Sequence, residues 1–280
     1  MKLIECPRDA MQGWKKMIPA AQKTAYINSL LQVGFDTIDF GSFVSSRAVP
    51  QMADTREVLA GLQAGQSSKL LAIVANVRGA EEAALYEAVN CLGFPFSVSE
   101  TFQQRNTNST VAGSFHRVEE IQQVCLKTGK ELVIYISMAF GNPYDDPYSE
   151  EIVYEWIEKI AGLGIKTISL ADIVGLVTPQ QVRSVTKYVI DLLPSIEIGV
   201  HLHSTPDNWK DKMEAALKAG CTRFDGALKG VGGCPMAGNE LVGNMNTEWM
   251  LSYLKEKHIQ LQLDEAALER SRVIADKIFS

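Results

Sequence analysis

The chain is poor in features that would place it in several common classes. Its five cysteines (Cys6, Cys91, Cys125, Cys221 and Cys234) are scattered, odd in number and form no C-x-x-C pair. The simplest reading of that spacing is reduced thiols in the cytoplasm. Basic residues are outnumbered, with 27 Lys and Arg against 33 Asp and Glu and a net charge of −6. An acidic chain lacks the basic face that general nucleic-acid binding needs, so no nucleic-acid partner is expected. No apolar run approaches the roughly 20 residues that span a bilayer, and no membrane association is expected. The opening "MKLIECPRDA" enters a strand-like segment at once, which leaves no room for a signal or transit peptide. A low-complexity linker is also missing, so residues 1–280 read as one catalytic domain.

What is present is a rhythm. Short apolar runs alternate with longer amphipathic ones along the 280 residues. Strands are expected at "KLIEC" (2–6), "DTIDF" (36–40), "KLLAIVA" (69–75), "FPFSVS" (94–99), "ELVIYISM" (131–138), "KTISLAD" (166–172), "IEIGVHLH" (196–203) and "RFDGAL" (223–228). Helical spacing fills the gaps, as in "TREVLAGL" from Thr55, "EEIVYEWIEKIAGLG" from Glu150 and "DNWKDKMEAALKAG" from Asp207. The last two end in glycine, as helix C-termini often do. Thr178-Pro179 and Thr205-Pro206 have the form of caps with proline in the first turn. Alternation of this kind predicts an α/β fold, a (β/α)8 TIM barrel with additional C-terminal helices. A doubly wound open sheet is the rival, but no G-x-G-x-x-G follows the first strand. Residues 229–280 then form the eighth loop, a lid and terminal helices, one of them over 264–278.

Barrels carry their chemistry at the C-terminal ends of the strands. Arg8 and Asp9 follow the first predicted strand, Asp39 ends the second, Asp172 the sixth, and His201 and His203 the seventh. Residues two apart on a strand share a face, so both imidazoles enter the barrel mouth together. The bland alternative is a pair of hydrogen-bonded core histidines, yet two of the chain's four histidines fall at this one strand end. Asp9 and the amide of Asn244 would complete a set with nitrogen and oxygen donors and no thiolate. Such a set favours Mg²⁺ or Mn²⁺ over Zn²⁺. Arg8 is either a rim ion pair or a group that stabilises negative charge developing on a bound oxygen. Asp172 suits a base, a supporting partner or a cap.

The segments "ECPRDAMQ", "SFVSSRAVPQMAD", "HLHS", "GVGGCPMAG" and "GNMNTE", in this order, resemble the 3-hydroxy-3-methylglutaryl-CoA lyase family of metal-dependent TIM-barrel lyases and acyl synthases. The resemblance runs from residue 3 to about residue 255. It implies a cation held by Asp9, His201, His203 and Asn244. Catalytic roles are implied for Arg8, for the loop thiol Cys234 as a proton-transfer group, and for Asp172. Gln12, Lys15 and Asp39 are expected near the substrate, with Lys16 and Arg47 as further cations for coenzyme A. A homodimer is implied.

The chain also departs from the family pattern. PRDG reads PRDA at Ala10, the strand-two glutamate is the shorter Asp39, and HCHDT reads HLHST with Leu202 and Ser204. The segment "SMAFGNPY" from Ser137 lacks cysteines, and the stretch between Cys234 and Asn244 is slightly short. None of these changes removes a metal ligand. The expected activity is retro-Claisen cleavage of a 3-hydroxyacyl-CoA to acetyl-CoA and a keto acid. Two alternatives stay open: an aldolase or Claisen-type acyltransferase acting on a 2-oxo acid, and a barrel that binds metal and acyl-CoA without turnover.

Overall fold

In a computed structural model, residues 1–63, 67–233 and 242–280 are described. Eight parallel strands close into a barrel in sequence order, with the last strand pairing the first. They are β1 (Lys2–Glu5), β2 (Thr37–Ser42), β3 (Lys69–Ile73), β4 (Cys91–Ser97), β5 (Glu131–Ser137), β6 (Thr167–Asp172), β7 (Glu197–Leu202) and β8 (Arg223–Gly226). The fourth begins three residues before the expected Phe94, because Cys91 to Gly93 pair in register with both Leu71–Ile73 and Glu131–Val133. A register shift between Asp39 and Gly41 turns the end of β2.

The helices are α1 (Pro7–Gln12), α2 (Ala20–Leu31), α3 (Thr55–Ala60), α4 (Val77–Ala84), α5 (Glu100–Thr107), α6 (Val111–Thr128), α7 (Glu150–Gly162), α8 (Pro179–Leu192), α9 (Trp209–Lys218), α10 (Thr247–Glu256) and α11 (Glu265–Ile278). Their starts are written in the sequence. Ser149 accepts from the Ile152 N–H, and Thr178 forms a reciprocal capping box with Gln181. Losing a cap of this kind costs about 1 kcal/mol. Gly164 and Gly220, past the ends of α7 and α9, take φ of +85° and +93°. Thr205-Pro206 does not open a helix. Asn208 is the residue before α9, and its Oδ1 takes the Thr205 N–H at 2.9 Å.

Two apolar clusters follow from the two-residue alternation of the strands. The larger lies between barrel and helices and includes Ile38, Phe40, Leu170 and Val200. The smaller, of Leu71, Cys91, Val133 and Tyr135, fills part of the lumen. No helix among the described residues is long and apolar enough to cross a membrane.

Candidate active site

The mouth of the barrel is built by short-range geometry. Directly after β1 the chain turns into α1, a six-residue helix opened by Pro7. Arg8, Asp9 and Gln12 therefore stand on one helical turn. Asp9 lies beside His201 and His203, with one donor atom from each of the three within 4.8 Å of the others. The two rings are 5.4 Å apart between centroids.

Asn244 reaches the same place from the far side of the eighth loop. It bridges His203 in antiparallel fashion, while Ser204 N donates to Gly243 O and Met245 N to Leu202 O. Its Nδ2 donates to Asp9 Oδ2 at 2.7 Å and to Val231 O at 2.9 Å. A half-turn of the amide brings Oδ1 to the same spot, which ligation of a cation shared with Asp9 requires. Gly232, at φ +113°, packs against this junction: a Cβ there would meet Asn244 Nδ2 at 2.4 Å and Asp9 O at 2.9 Å. Cys234 lies outside the described residues.

The donor set fits a divalent cation. His203 Nδ1 is buried with no hydrogen-bond partner among the described residues, a costly state unless a ligand takes it. His201 Nδ1 faces Asp225 Oδ2 at 3.2 Å, which leaves Nε2 for a ligand. Burial drives the His203 pKa down to about 4, with the charge of His201 acting in the same sense. Burial also lowers His201, but the hydrogen bond and charge of Asp225, then Asp9, carry it above its ordinary value. Asp9 sits below the usual carboxylate range because Arg8, then the two histidines, outweigh its burial.

Arg8 and Asp39 form the second half of the site. Arg8 Nε donates to both Asp39 oxygens at 3.1 and 3.0 Å, and Nη2 to Oδ2 at 2.5 Å. The shorter carboxylate thus keeps a direct contact with Arg8. Nη1 donates to Asp9 Oδ1 at 3.1 Å and to Gln12 Oε1 at 2.8 Å, and Gln12 Nε2 donates to Asp9 Oδ1 at 2.6 Å. Among the described residues, four of the five guanidinium N–H groups are then occupied, with one on Nη2 remaining. Burial pushes the Asp39 carboxyl up to about 6 against the pull of Arg8.

Asp172, at the end of β6, has a different set of partners. Its Oδ2 accepts from Lys212 Nζ at 2.9 Å, and the backbone N–H groups of Val177 and Gly175 also point to it. Ser204, where the family has a carboxylate, directs its hydroxyl at the Met245 sulfur, 3.6 Å away. Lys15, Lys16 and Arg47 are exposed. Sequence reasoning missed Asp225, Lys212 and Glu5. Only Asp225 had a readable signal, two residues after Arg223 on a strand and so on the same face.

Comparison with known proteins identifies the family. The family model described as HMGL-like matches residues 3–274. The cytoplasmic 3-hydroxy-3-methylglutaryl-CoA lyase of Rattus norvegicus is 32% identical over 94% of this chain and 77% of its own. Among solved structures, the HMG-CoA lyase of Brucella melitensis superposes with a TM-score of 0.91 at 31% identity, covering 99% of this chain and 98% of that one. An HMG-CoA lyase from Acenitobacter baumannii, solved in complex with coenzyme A and 3-methylmalate, reaches 0.89 at 32% identity, covering 97% of this chain and 88% of that one. With the family model matching nearly the whole chain and the barrel superposing on solved HMG-CoA lyases throughout, this chain belongs to the HMGL-like family.

Proposed function

We propose that the chain is a divalent-metal-dependent carbon–carbon lyase that cleaves 3-hydroxy-3-methylglutaryl-CoA, or a close 3-hydroxyacyl-CoA, to acetyl-CoA and a keto acid. The observation that carries this reading is the convergence of Asp9, His201 and His203 beside Arg8 at the barrel mouth. The names of the relatives, and the coenzyme A in one neighbour's complex, support the thioester.

Asp9, His201, His203 and Asn244 would hold the cation, Mg²⁺ or Mn²⁺ by the donor set, which would polarise the substrate hydroxyl and lower its pKa. A base takes the proton of the hydroxyl, the carbinol carbon becomes a ketone as its bond to the acetyl carbon breaks, and the electron pair of that bond passes to the acetyl-CoA fragment. Arg8 faces the negative charge that spreads onto the thioester oxygen, offering its remaining N–H. Asp39 and Gln12 hold that guanidinium plane in place. The new acetyl carbon takes a proton from an acid, a role that the resemblance gives to Cys234. Lys15, Lys16 and Arg47 are exposed cations for the coenzyme A phosphates. A cytoplasmic homodimer completes the reading, with light scattering in solution as the check on assembly.

The test is incubation with 3-hydroxy-3-methylglutaryl-CoA and Mg²⁺ or Mn²⁺, with acetoacetate and acetyl-CoA as readouts. Cleavage supports the proposal. Failure of fully metallated protein overturns the substrate, and turnover of 2-oxo acids in a parallel panel moves the reading to an aldolase or acyltransferase.

A further inference from the structure

Beneath the two histidines the barrel interior turns polar, where bulky apolar side chains are the rule. Arg223 and Asp225 occupy one face of β8, and Tyr135 on β5 meets His201 edge-on at 5.8 Å between centroids. Neighbouring strands make room for these side chains. A Cβ on Gly199 would meet Arg223 Cδ at 2.8 Å, and one on Gly93 would lie 3.2 Å from Tyr135 Cε2 and 2.6 Å from Ile73 Cδ1. The side chain of Asp225 has no solvent exposure, and its Oδ2 lies 3.2 Å from His201 Nδ1.

Packing alone does not account for this column. Asp225 Oδ1, Arg223 Nε and Nη2, and Tyr135 Oη are all buried without hydrogen-bond partners among the described residues. Each unsatisfied buried group costs about 1–3 kcal/mol. An apolar filling would avoid that cost. The one feature the column supplies to the mouth is a carboxylate against the ring nitrogen of His201 that faces away from His203 and Asp9.

We propose that Asp225 is a positioning residue for the metal site. By accepting the Nδ1–H of His201 it fixes the ring's tautomer and rotation, so that the Nε2 lone pair points at the cation shared with Asp9 and His203. Arg223, one pleat below on the same strand face, balances the Asp225 charge. A carboxylate behind a ligating imidazole holds the ligand's orientation and raises its basicity. The inference rests on the metal-site part of the proposed function and is independent of the substrate.

The test begins with the unaltered, metal-free protein. With four histidines in the chain, ring-nitrogen NMR after ¹⁵N-histidine labelling resolves each ring, at a pH where the rings are neutral. His201 is expected to carry its proton on Nδ1. A proton on Nε2 overturns the proposal without any variant. In Asp225→Asn the tautomer is expected to mix or reverse, and the Kd for Mn²⁺, read from free Mn²⁺ by EPR, to rise about 10–100-fold. An unchanged tautomer with a Kd within about twofold of the parent overturns it. Asp225→Ser, smaller and uncharged, provides the same two readouts if the asparagine variant does not fold. Correct tautomer and metal binding with no thioester cleavage would sink the substrate reading and leave this one standing.

Discussion

Lys212 Nζ lies 2.9 Å from Asp172 Oδ2, and neither side chain reaches solvent to a useful degree, at 0% and 3% exposed. The same ammonium donates to Gly175 O at 3.0 Å and His203 O at 2.8 Å, which uses all three of its N–H groups. One buried cation thus ties the end of β6, the loop after it and the backbone of His203 together. The Asp172 carboxylate is correspondingly engaged, with Lys212 on one side and backbone N–H groups at Gly175 and Val177 as well.

Removing one member of that pair leaves the other buried and unpaired. Lys212→Met is therefore expected to lower stability by about 3–5 kcal/mol, measured by urea unfolding. Combined with Asp172→Leu it should cost less than the sum of the single changes, with a coupling of at least about 1 kcal/mol in a double-mutant cycle. Additive losses would show that the contact carries no energy of its own.

Arg8 is held for direction, with contacts to Asp39, Asp9 and Gln12 from three of its nitrogens. Lysine keeps the charge but has neither the planar fork nor the paired contact to Asp39. Arg8→Lys is expected to lower kcat by about 10²–10³ with a much smaller change in KM, since in the proposed reaction the lost contact would form with charge developing in the transition state. A raised KM with intact kcat would instead mark Arg8 as a ground-state binder.

Asp39 stands where the family usually has glutamate, yet its oxygens already lie 2.5–3.1 Å from Arg8 nitrogens and it is 1% exposed. An added methylene would have to be taken up at a buried position whose carboxylate is already in contact with Arg8. Asp39→Glu is expected to destabilise by about 1–3 kcal/mol despite restoring the family residue, as read by thermal unfolding without metal. A gain in stability would show that Gly41 and its neighbours on β2 can shift to accept it.

Much of this arrangement was legible in the sequence, because it rests on period. Eight apolar runs separated by helical segments gave the barrel, and the H-x-H spacing on a strand gave two imidazoles on one face. Asp9 and Asn244 were found by strand-end position and resemblance, and the structure brings both to the histidines. Lys212 was not legible: on a helix marked by "DNWKDKMEAALK" it reads as one more exposed lysine, and only packing against β6 and β7 buries it. Asp225 required knowing that the lumen, normally apolar, is polar at this level. The α1 turn was obscured because the six residues of "PRDAMQ" are too few to show a helical period.

Glu5 offers a test in pH. It is fully buried outside the lumen, where Thr247 Oγ1 donates to Oε2 at 2.6 Å and Leu228 N to Oε1 at 2.7 Å. These bonds pin β1 to both ends of the eighth loop. Burial outweighs them and pushes its pKa up to about 8, from 4.5 for an unperturbed side chain. Between those two values the folded chain keeps the proton and the unfolded chain has lost it. The contribution of Glu5 to stability is then full below about pH 4.5, falls as pH rises through this window and levels off above about pH 8. The slope for one group is about 1.4 kcal/mol per pH unit. Glu5→Gln keeps a similar shape and removes the titration, so its stability relative to the parent is expected to rise steadily from about pH 5 to about pH 8. Urea unfolding of both proteins across that range checks it, and a pH-independent difference would mean that Glu5 is already ionised in the folded protein at acidic pH.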